Sequence, residues 1–434
     1  MLALTGLLMV VTFTFLIMTK RLTPYIALIT VPLVFAIASG NSAGLDKMML
    51  DGLKMVAPSA ALLLFAVLFF GVMFDTGLFD PLIKLILKVV KGDPVKISLG
   101  TAVLSLAVGM DGDGTTTYMI VCSAMLPLYR RIDMNPMILA SVTLLAVSAV
   151  GCMTPWGGPA TRAIAVLGLD ASEFLIPLMP TLAAGAGAVF LVAYLLGKKE
   201  RQRIGIAELV TGGKDCYIEA IVQHGENKRP RLRWINLMLV LAVLSSLIFG
   251  FMGSAISFML GFVVAMAINY PGIKVQKERL MAHAGNCVTV VVLVFAAGVF
   301  AGIFSGTKMV DALSMAMVNA IPHSWGHLFP LVVAVTSLPL TFLLSSDAYF
   351  FGVLPVLAKA AGEFGIPPIE IARAAVMGQP MHMLSPIVAS TLLLVGMVDR
   401  ELGDFQRFTF KWALLICALM IAAALLTGAF TLFS

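Results

Sequence analysis

A polar, glycine-containing stretch interrupts an apolar part of the chain at residues 109–128, which read GMDGDGTTTYMIVCSAMLPL. The uncharged segment before it, residues 97–110, has 14 residues, and the segment after it, residues 114–129, has 16. At about 1.5 Å per residue, helices of these lengths are shorter than a bilayer hydrocarbon core of about 30 Å. Two short helices that meet at a polar tip predict a re-entrant hairpin. Irregular backbone inside a membrane is tolerated only where protein, water or a ligand reaches it, so the tip is a candidate binding site.

The composition identifies the class of protein around this hairpin. The chain is 60% hydrophobic and 12% charged, with a mean hydropathy of +1.01. These values argue against a water-soluble globular fold and predict an all-α polytopic membrane protein, whose surroundings are the lipid bilayer. The net charge of +6 comes from Lys and Arg in short segments between helices. It therefore indicates cytoplasmic loops and no nucleic-acid partner.

Uncharged runs predict the membrane spans of the first half of the chain at residues 2–19, 23–40, 55–74 and 174–197. Between the third and fourth of these runs lie the hairpin, residues 97–129, and a broken helix, residues 134–168. The broken helix contains GCMTPWGGP at residues 151–159, the first break, where glycine and proline prevent continuous helix. Residues 198–233 then predict a basic cytoplasmic linker.

The second half, residues 234–434, repeats this plan. It has a second hairpin at residues 328–361, a broken helix at residues 368–398, and a second break, GQPMHMLSP, at residues 378–386. Matching residues recur at a shift of 230 for the phenylalanines and 231 for the others. The pairs are Phe65 with Phe295, Phe70 with Phe300, Phe74 with Phe304, Asp80 with Asp311, Pro136 with Pro367, Thr154 with Ser385, and Pro155 with Pro386. A near-constant shift over this length indicates internal duplication.

The duplication predicts two inverted repeats, residues 1–197 and 234–434. Each repeat would have five crossings and one hairpin that returns to its own side, and an odd number of crossings inverts the second copy. Inverted repeats with interrupted helices near the bilayer midplane are typical of secondary transporters. An excess of Lys and Arg in cytoplasmic loops places the linker inside the cell and both termini outside.

Four motifs give the chain a family resemblance over nearly its whole length. They are DGDGTTTYMIVCSAMLP, GCMTPWGGPATR, SSDAYFFGVLP and QPMHMLSP. With these motifs the chain resembles the citrate-metal:proton symporter (CitMHS) family of the ion transporter superfamily. The resemblance implies a transporter and not an enzyme, importing citrate chelated to a divalent metal with protons as the coupling ion. It also implies a bacterial inner membrane, a homodimer, an elevator-type movement of a transport domain against a scaffold, and no permanently bound cofactor.

Helix N-termini carry partial positive charge and unpaired N–H groups, so they suit carboxylate ligands. Residues 115–117, 156–158, 347–349 and 386–388 are predicted to begin four such half-helices. The candidate substrate-binding residues are those that start these helices, carry hydroxyl groups or lie at the breaks. They are Thr115, Thr116, Thr117, Thr154, Pro155, Gly157, Gly158, Ser345, Ser346, Ser385, Pro386, His382 and Arg162.

The candidate metal or proton sites are the acids at the two tips, Asp111, Asp113 and Asp347. The first tip is residues 111–114 and the second tip is residues 345–347. Citrate is an anion, and acids beside it in a low-dielectric site would repel it unless a hard cation such as Mg²⁺ or a proton intervenes. Acids at bilayer depth are costly and often belong to proton pathways.

Each of these assignments has an alternative. For the tip aspartates, the alternative to an ion or proton role is that they are helix N-caps alone. For His382, the alternative to substrate or proton binding is a buried histidine with satisfied ring nitrogens. Arg162 is either a carboxylate ligand, an interface anchor or a partner of Asp170 or Glu173. For the whole chain, the alternatives are a metal-independent di- or tricarboxylate carrier and an intramembrane hydrolase. A hydrolase needs a nucleophile with a base or an acid dyad, and the sequence offers neither motif.

Overall fold

The computed structural model describes residues 2–90, 92–206, 228–320 and 323–431. Within these ranges the secondary structure is helical and contains no strand, so the predicted all-α class is confirmed. Eight helical segments of the described chain are long and apolar enough to cross a membrane. Shorter apolar helices accompany them, for example Leu2–Ile17 and Ser254–Asn269. The protein is therefore a multi-pass membrane protein.

The helices of the first half begin and end as follows. They are α1 (Leu2–Met18), α2 (Pro24–Ala38), α3 (Leu45–Asp75), α4 (Asp80–Val89), α5 (Pro94–Val108), α6 (Gly114–Arg131), α7 (Pro136–Ala149), α8 (Gly158–Leu167), α9 (Ala171–Leu175) and α10 (Met179–Ile204). Two of them, α5 and α7, start at a proline preceded by a capping side chain, and proline suits this position because it has no N–H to leave unpaired in the first turn. Asp93 before α5 and Asn135 before α7 each accept a backbone N–H two residues on.

The helices of the second half follow the same order of long helix, short helix, hairpin, interrupted helix and closing helix. They are α11 (Arg233–Phe249), α12 (Ser254–Asn269), α13 (Ile273–Gly306), α14 (Met309–Ala320), α15 (Phe329–Leu343), α16 (Leu354–Gly362), α17 (Pro368–Ala375), α18 (Gln379–His382), α19 (Ala389–Met397) and α20 (Leu402–Thr427). A π-helical turn, Ala348–Val353, precedes α16. The inverted orientation of the two halves stays a prediction.

The long helices α3 and α13 form the centre of the first of two helix groups, which we call the scaffold. A Cβ atom on Gly52 would collide with the carbonyl oxygen of Gly298, and one on Gly302 with the carbonyl oxygen of Met48. Glycine at these positions lets the two backbones touch, which maximises van der Waals packing between helices in lipid. Helix α12 packs on α3, α2 packs on α13, and α1 packs on α14.

The second helix group contains both hairpins and both interrupted helices, and we call it the hairpin group. In it, α10 packs against α5, α7 and α20, whereas α15 packs against α17 and α18. Buried polar contacts join the two halves of the chain. Ser141 Oγ on α7 and Thr409 Oγ1 on α20 lie 2.5 Å apart, and Arg373 on α17 donates to the carbonyl oxygens of Phe174 and Ala429 at 3.2 and 3.0 Å. The hairpin group is thus held together by residues from both halves.

The predicted basic linker is only partly described. Helix α10 runs to Ile204, into the residues that the sequence assigned to the linker, and residues 207–227 lie outside the described ranges. At the far end of the linker, the Nζ atom of Lys228 lies 2.7 Å from Oδ2 of Asp80. The backbone N–H of Arg229 donates to the carbonyl oxygen of Thr76 at 3.0 Å. These contacts attach the end of the linker to the junction of α3 and α4.

Candidate functional site

The first tip is a tight turn whose acids bond to its own backbone. The chain passes through a short 3-10 turn and then Gly112, whose φ of +80° lies in the left-handed region that glycine adopts without strain. Asp113 is the N-cap of α6. Its Oδ1 accepts the N–H of Thr115 at 3.2 Å, and its Oδ2 accepts the N–H and hydroxyl of Thr116 at 2.9 and 2.5 Å. The capping role considered for Asp113 is therefore present.

Asp111 differs from Asp113 in how its carboxylate is used. Its Oδ1 accepts the backbone N–H of Asp113 at 3.0 Å, which stiffens the turn. Neither acid makes an ion pair within the described part of the chain, because all these bonds come from neutral N–H and O–H groups. The acids of the first tip thus have no cationic partner among the described residues.

The first break lies against the first tip. Helix α7 ends at Ala149 and α8 begins at Gly158, so the chain is not α-helical between them. A Cβ atom on Gly112 would lie 2.8 Å from the Cα atom of Gly157, and the indole N–H of Trp156 donates to the carbonyl oxygen of Met110 at 2.6 Å. The backbone of the tip thus touches the backbone that leads into α8.

Two of the predicted hydroxyl groups bond to backbone carbonyl groups of the first tip and the first break. Thr117 Oγ1 donates to the carbonyl oxygen of Asp113 at 2.9 Å, and Thr154 Oγ1 donates to that of Gly151 at 2.8 Å. The carbonyl oxygen of Pro155 accepts the hydroxyl of Thr161 at 2.7 Å. The carbonyl oxygens of Asp113 and Gly151 also accept the backbone N–H groups of Thr117 and Thr154, both at 3.4 Å, so the hydroxyl bonds reinforce the backbone bonds of these turns. Thr117 and Thr154 are buried, whereas Thr115 is exposed.

The second tip is built differently. Ser345 Oγ accepts the N–H of Ala348 at 3.2 Å, and Asp347 makes no capping hydrogen bond. Instead, Asp347 Oδ1 accepts the Nε–H of Arg162 at 2.7 Å, in an ion pair whose side chains are 21% exposed for Arg162 and 13% for Asp347. Arg162 lies on α8, so this ion pair links the second tip to the helix that follows the first break.

The pairing of Arg162 with Asp170 or Glu173, considered from sequence proximity, is wrong. Asp170 is instead the N-cap of α9, where its Oδ1 accepts the N–H groups of Ser172 and Glu173 at 2.8 and 3.0 Å. Asp347 is the partner of Arg162, although the two residues are 185 positions apart in the chain.

His382 in the second break is buried, with 6% of its surface exposed, and both ring nitrogens are engaged. Nδ1 lies 2.5 Å from the carbonyl oxygen of Thr341, so it carries a proton and donates. Nε2 lies 2.8 Å from Oγ of Ser346, a hydrogen bond in which either atom can be the donor. Ser385 of the same break donates to the carbonyl oxygen of Phe342 at 2.6 Å. The second break is therefore bonded to the second hairpin, and His382 has the satisfied environment considered for it.

Gln379 is a buried polar residue of the second break that the sequence reasoning missed. Both polar atoms of its side chain are buried, and neither has a hydrogen-bond partner among the described residues. A buried amide without partners is costly, so such a group points to a ligand or to ordered water. The signal in the sequence was the one amide side chain of the second break, next to Pro380.

The tips and breaks form a closed ring of contacts. The ring has four members, which are the first tip, the first break with α8, the second tip, and the second break with α19. Each member contacts the next, and the last contacts the first. The four contacts are Gly112 with Gly157, Arg162 with Asp347, Ser346 with His382, and Gly114 with Ser390, whose Oγ would lie 3.4 Å from a Cβ atom on Gly114. The structure therefore brings the predicted site residues of both halves into one region of the molecule.

Four helical N-termini belong to this ring. Helix α6 starts at Gly114, α8 at Gly158, the π-helical turn at Ala348 and α19 at Ala389. Pro386 lies in the non-helical segment before α19. A Cβ atom on Gly158 would lie 3.0 Å from Nη1 of Arg162, so the guanidinium sits beside the N-terminus of α8. A carboxylate at this point would meet backbone N–H groups and a cation together.

Comparisons with known proteins found a matching family model and several similar proteins. A family model described as CitMHS, citrate transporter, matches residues 1–378. Three Bacillus subtilis (strain 168) proteins align with 99–100% of this chain and of their own length. They are an uncharacterized transporter, YraO, at 54% identity, a citrate transporter at 50%, and a Mg(2+)/citrate complex secondary transporter at 46%.

A solved structure also has a similar fold. It is the crystal structure of the Alcanivorax borkumensis YdaH transporter, with a TM-score of 0.65 and 14% sequence identity. The match covers 99% of this chain and 100% of that chain. At this identity the likeness concerns the fold alone.

Proposed function

Because this chain belongs to the citrate transporter family, whose members are transporters and not enzymes, we propose that it imports citrate as a complex with a divalent metal, in symport with protons. The name of one relative, a Mg(2+)/citrate complex secondary transporter, supports a metal-bound substrate. The hydrolase alternative is discarded with the family assignment. The metal is cargo that enters with citrate and not a resident cofactor.

The observation that carries this proposal is the position of Arg162. Asp347 holds the guanidinium through Nε, and the two Nη atoms make no hydrogen bond within the described part of the chain. Nη1 lies beside Gly158, where any side chain would crowd it. Arginine binds carboxylates through two parallel N–H groups. Because Nε is occupied by Asp347, the N–H groups of the two Nη atoms are left to donate to a ligand carboxylate. We assign Arg162 and the N-terminus of α8 to a citrate carboxylate.

We assign the metal to the first tip, which contacts the start of α8 through Gly112 and Gly157, whereas the citrate carboxylate is assigned to Arg162. Asp113 uses both carboxylate oxygens to cap α6, whereas Asp111 uses Oδ1 for one bond. Asp111 is therefore the better metal ligand. Mg²⁺ prefers six oxygen ligands, so citrate and water would supply most of them. The bound metal would also reduce the repulsion between citrate and the two acids.

The coupling proton is assigned to the second tip and second break. Protonation of Asp347 would remove the negative partner of Arg162 and change how that arginine holds citrate. His382 is connected to the same tip through Ser346 at 2.8 Å and is the other titratable group there. Gln379 is the candidate for a neutral hydrogen bond to substrate. In this arrangement the metal and the proton bind at different tips, so each can be varied separately.

We propose that the site is exposed to each side of the membrane by a movement of one helix group against the other. All the interruptions lie in the hairpin group, which packs against the long scaffold helices α3 and α13 through α8. This division supports inverted repeats and an elevator-type movement of the hairpin group against a scaffold that dimerises. The proposed location is the bacterial inner membrane, with both termini outside.

Uptake of radiolabelled citrate into proteoliposomes tests the function, with Mg²⁺ and the pH gradient varied independently. We expect accumulation only when a divalent cation is present, and faster accumulation when the outside is acidic. Undiminished uptake in excess chelator would support the metal-independent carboxylate carrier instead. Uptake that does not respond to the pH gradient would contradict proton symport. The absence of citrate uptake under every condition would refute the proposal.

A further inference from the structure

An apolar cavity of about 410 Å³ lies outside the ring of tips and breaks, between α11 and the helices α3, α4 and α5. Its walls include Phe70 on α3, Leu82 on α4, and Leu237 and Leu244 on α11. Met110, at the end of the first hairpin's leading arm, lines it as well. The cavity therefore lies where the scaffold side of the molecule meets the hairpin group.

The length of the cavity matches one leaflet of a bilayer. Its lining residues on α11 run from Arg233 to Leu244. At about 1.5 Å per residue this stretch rises about 16 Å, close to half of a hydrocarbon core of about 30 Å. A space of this length with apolar walls suits a single acyl chain that extends from the membrane surface toward the midplane.

One end of the cavity is cationic and aromatic. Arg233 and Trp234 both line it, and Trp234 is 69% exposed. Arg233 makes no ion pair with any residue that the structure describes, and the acid next to the cavity-lining Pro81, Asp80, is already paired with Lys228 at 2.7 Å. Tryptophan marks the membrane–water interface, and basic side chains at that level attract anionic headgroups.

We propose that this cavity binds an anionic phospholipid, with one acyl chain between α11 and α3 and the headgroup phosphate on Arg233. The amphipathic helix α4, whose Leu82 faces the cavity, would lie at the same membrane surface. Because Met110 and Ala107 belong to the first hairpin, the acyl chain contacts the segment that leads into the acid-bearing first tip. The lipid would thus bridge the two helix groups.

Tryptophan quenching by brominated lipids tests the site in the full-length protein reconstituted into vesicles. The contribution of Trp234 is the difference between the wild type and Trp234→Phe. We compare brominated phosphatidylglycerol with brominated phosphatidylcholine at equal mole fraction. One arginine near an anionic surface should enrich the anionic lipid at Trp234 about fivefold.

The matched variants are Arg233→Gln and Arg231→Gln, which change two exposed arginines at the same helix end, only the first of which lines the cavity. We expect Arg233→Gln to abolish the preference for the anionic lipid and Arg231→Gln to retain it. Equal quenching by both lipids in the wild type would overturn the proposal. So would a preference that survives in Arg233→Gln, or one that both variants lose equally.

Discussion

Asp113 and Asp347 lie at the tips of the two hairpins, yet one carboxylate bonds within its own turn and the other bonds across the molecule. Asp113 caps α6 and accepts only neutral N–H and O–H groups. Asp347 leaves capping to Ser345 and forms an ion pair with Arg162 from the other half. Two acids in similar local settings thus have different electrostatic partners.

Because of this difference, acidic groups lie at one side of the ring and a cationic group lies at the other. At the first tip, the carboxyl groups of Asp111 and Asp113 accept only from neutral donors, so this side suits a cation. The Arg162 side, where one guanidinium meets Asp347 and the N-terminus of α8, suits a carboxylate. A metal–citrate complex has a cation and free carboxylates at different places, so its charge distribution complements the two sides.

The largest expected effect comes from Arg162→Gln. The change removes the carboxylate ligand and leaves Asp347 charged, mostly buried and unpaired, which typically costs about 3 to 5 kcal/mol. Citrate uptake should fall at least about a hundredfold. Radiolabelled uptake measures this, with Arg400→Gln as the control at an exposed arginine. Wild-type uptake in Arg162→Gln would contradict the assignment of Arg162 to the citrate carboxylate, and the ion pair would then not distinguish the two tips in function.

The second effect sharpens the assignment of the proton. Asp347→Asn keeps a side chain that accepts a hydrogen bond from Arg162 but removes its charge. Breaking a mostly buried ion pair costs about 3 kcal/mol and the retained hydrogen bond offsets about 1 kcal/mol, so uptake should fall roughly thirtyfold. What remains should no longer respond to the pH gradient. Uptake that still follows the gradient would place the coupling proton elsewhere.

The third effect concerns the metal at the first tip. Asp111→Asn removes one carboxylate ligand, so the Mg²⁺ concentration for half-maximal citrate uptake should rise about tenfold. The pH-gradient dependence should be unchanged, because the proton is assigned to the second tip. An unchanged Mg²⁺ requirement would remove Asp111 from the metal site. A change in pH dependence alone would indicate that the proton binds at the first tip and the metal at the second.

The smallest effect is on stability. Asp113→Ala removes the N-cap of α6 and should lower the free energy of unfolding by about 1 kcal/mol, whereas Asp113→Asn retains most of the capping bonds. Thermal unfolding of the detergent-solubilised protein measures both variants. Equal stability of the Ala and Asn variants would contradict the capping role. Asp113 would then, like Asp347, not stabilise the start of its own helix.

Local sequence rules predicted where the backbone is interrupted. Gly151, Pro155 and Pro386 lie in the segments where α-helix stops, and Asp113 caps the start of α6, because these residues act on their own neighbours. Pro380 is an exception, since it lies in the short helix α18. The family assignment also followed from the sequence and is confirmed by the family model. Helix ends and family were therefore accessible without tertiary information.

Tertiary contacts were not accessible in this way. Nearby in sequence, Asp170 and Glu173 were equally plausible partners of Arg162, and only the packing of α8 against the second hairpin selects Asp347. The unpaired amide of Gln379 was also missed, because its environment depends on helices distant in the chain. The roles of the site residues in transport stay predictions.

The most direct test is equilibrium binding of radiolabelled citrate to the purified protein, with and without Mg²⁺, in the wild type, Arg162→Gln and Asp111→Asn. If citrate contacts Arg162 while its metal contacts the first tip, Arg162→Gln weakens binding in both conditions. Asp111→Asn weakens binding only when Mg²⁺ is present. Equal losses in the two variants under both conditions, or wild-type binding of Mg²⁺–citrate by both, would contradict a site with a metal end and a carboxylate end.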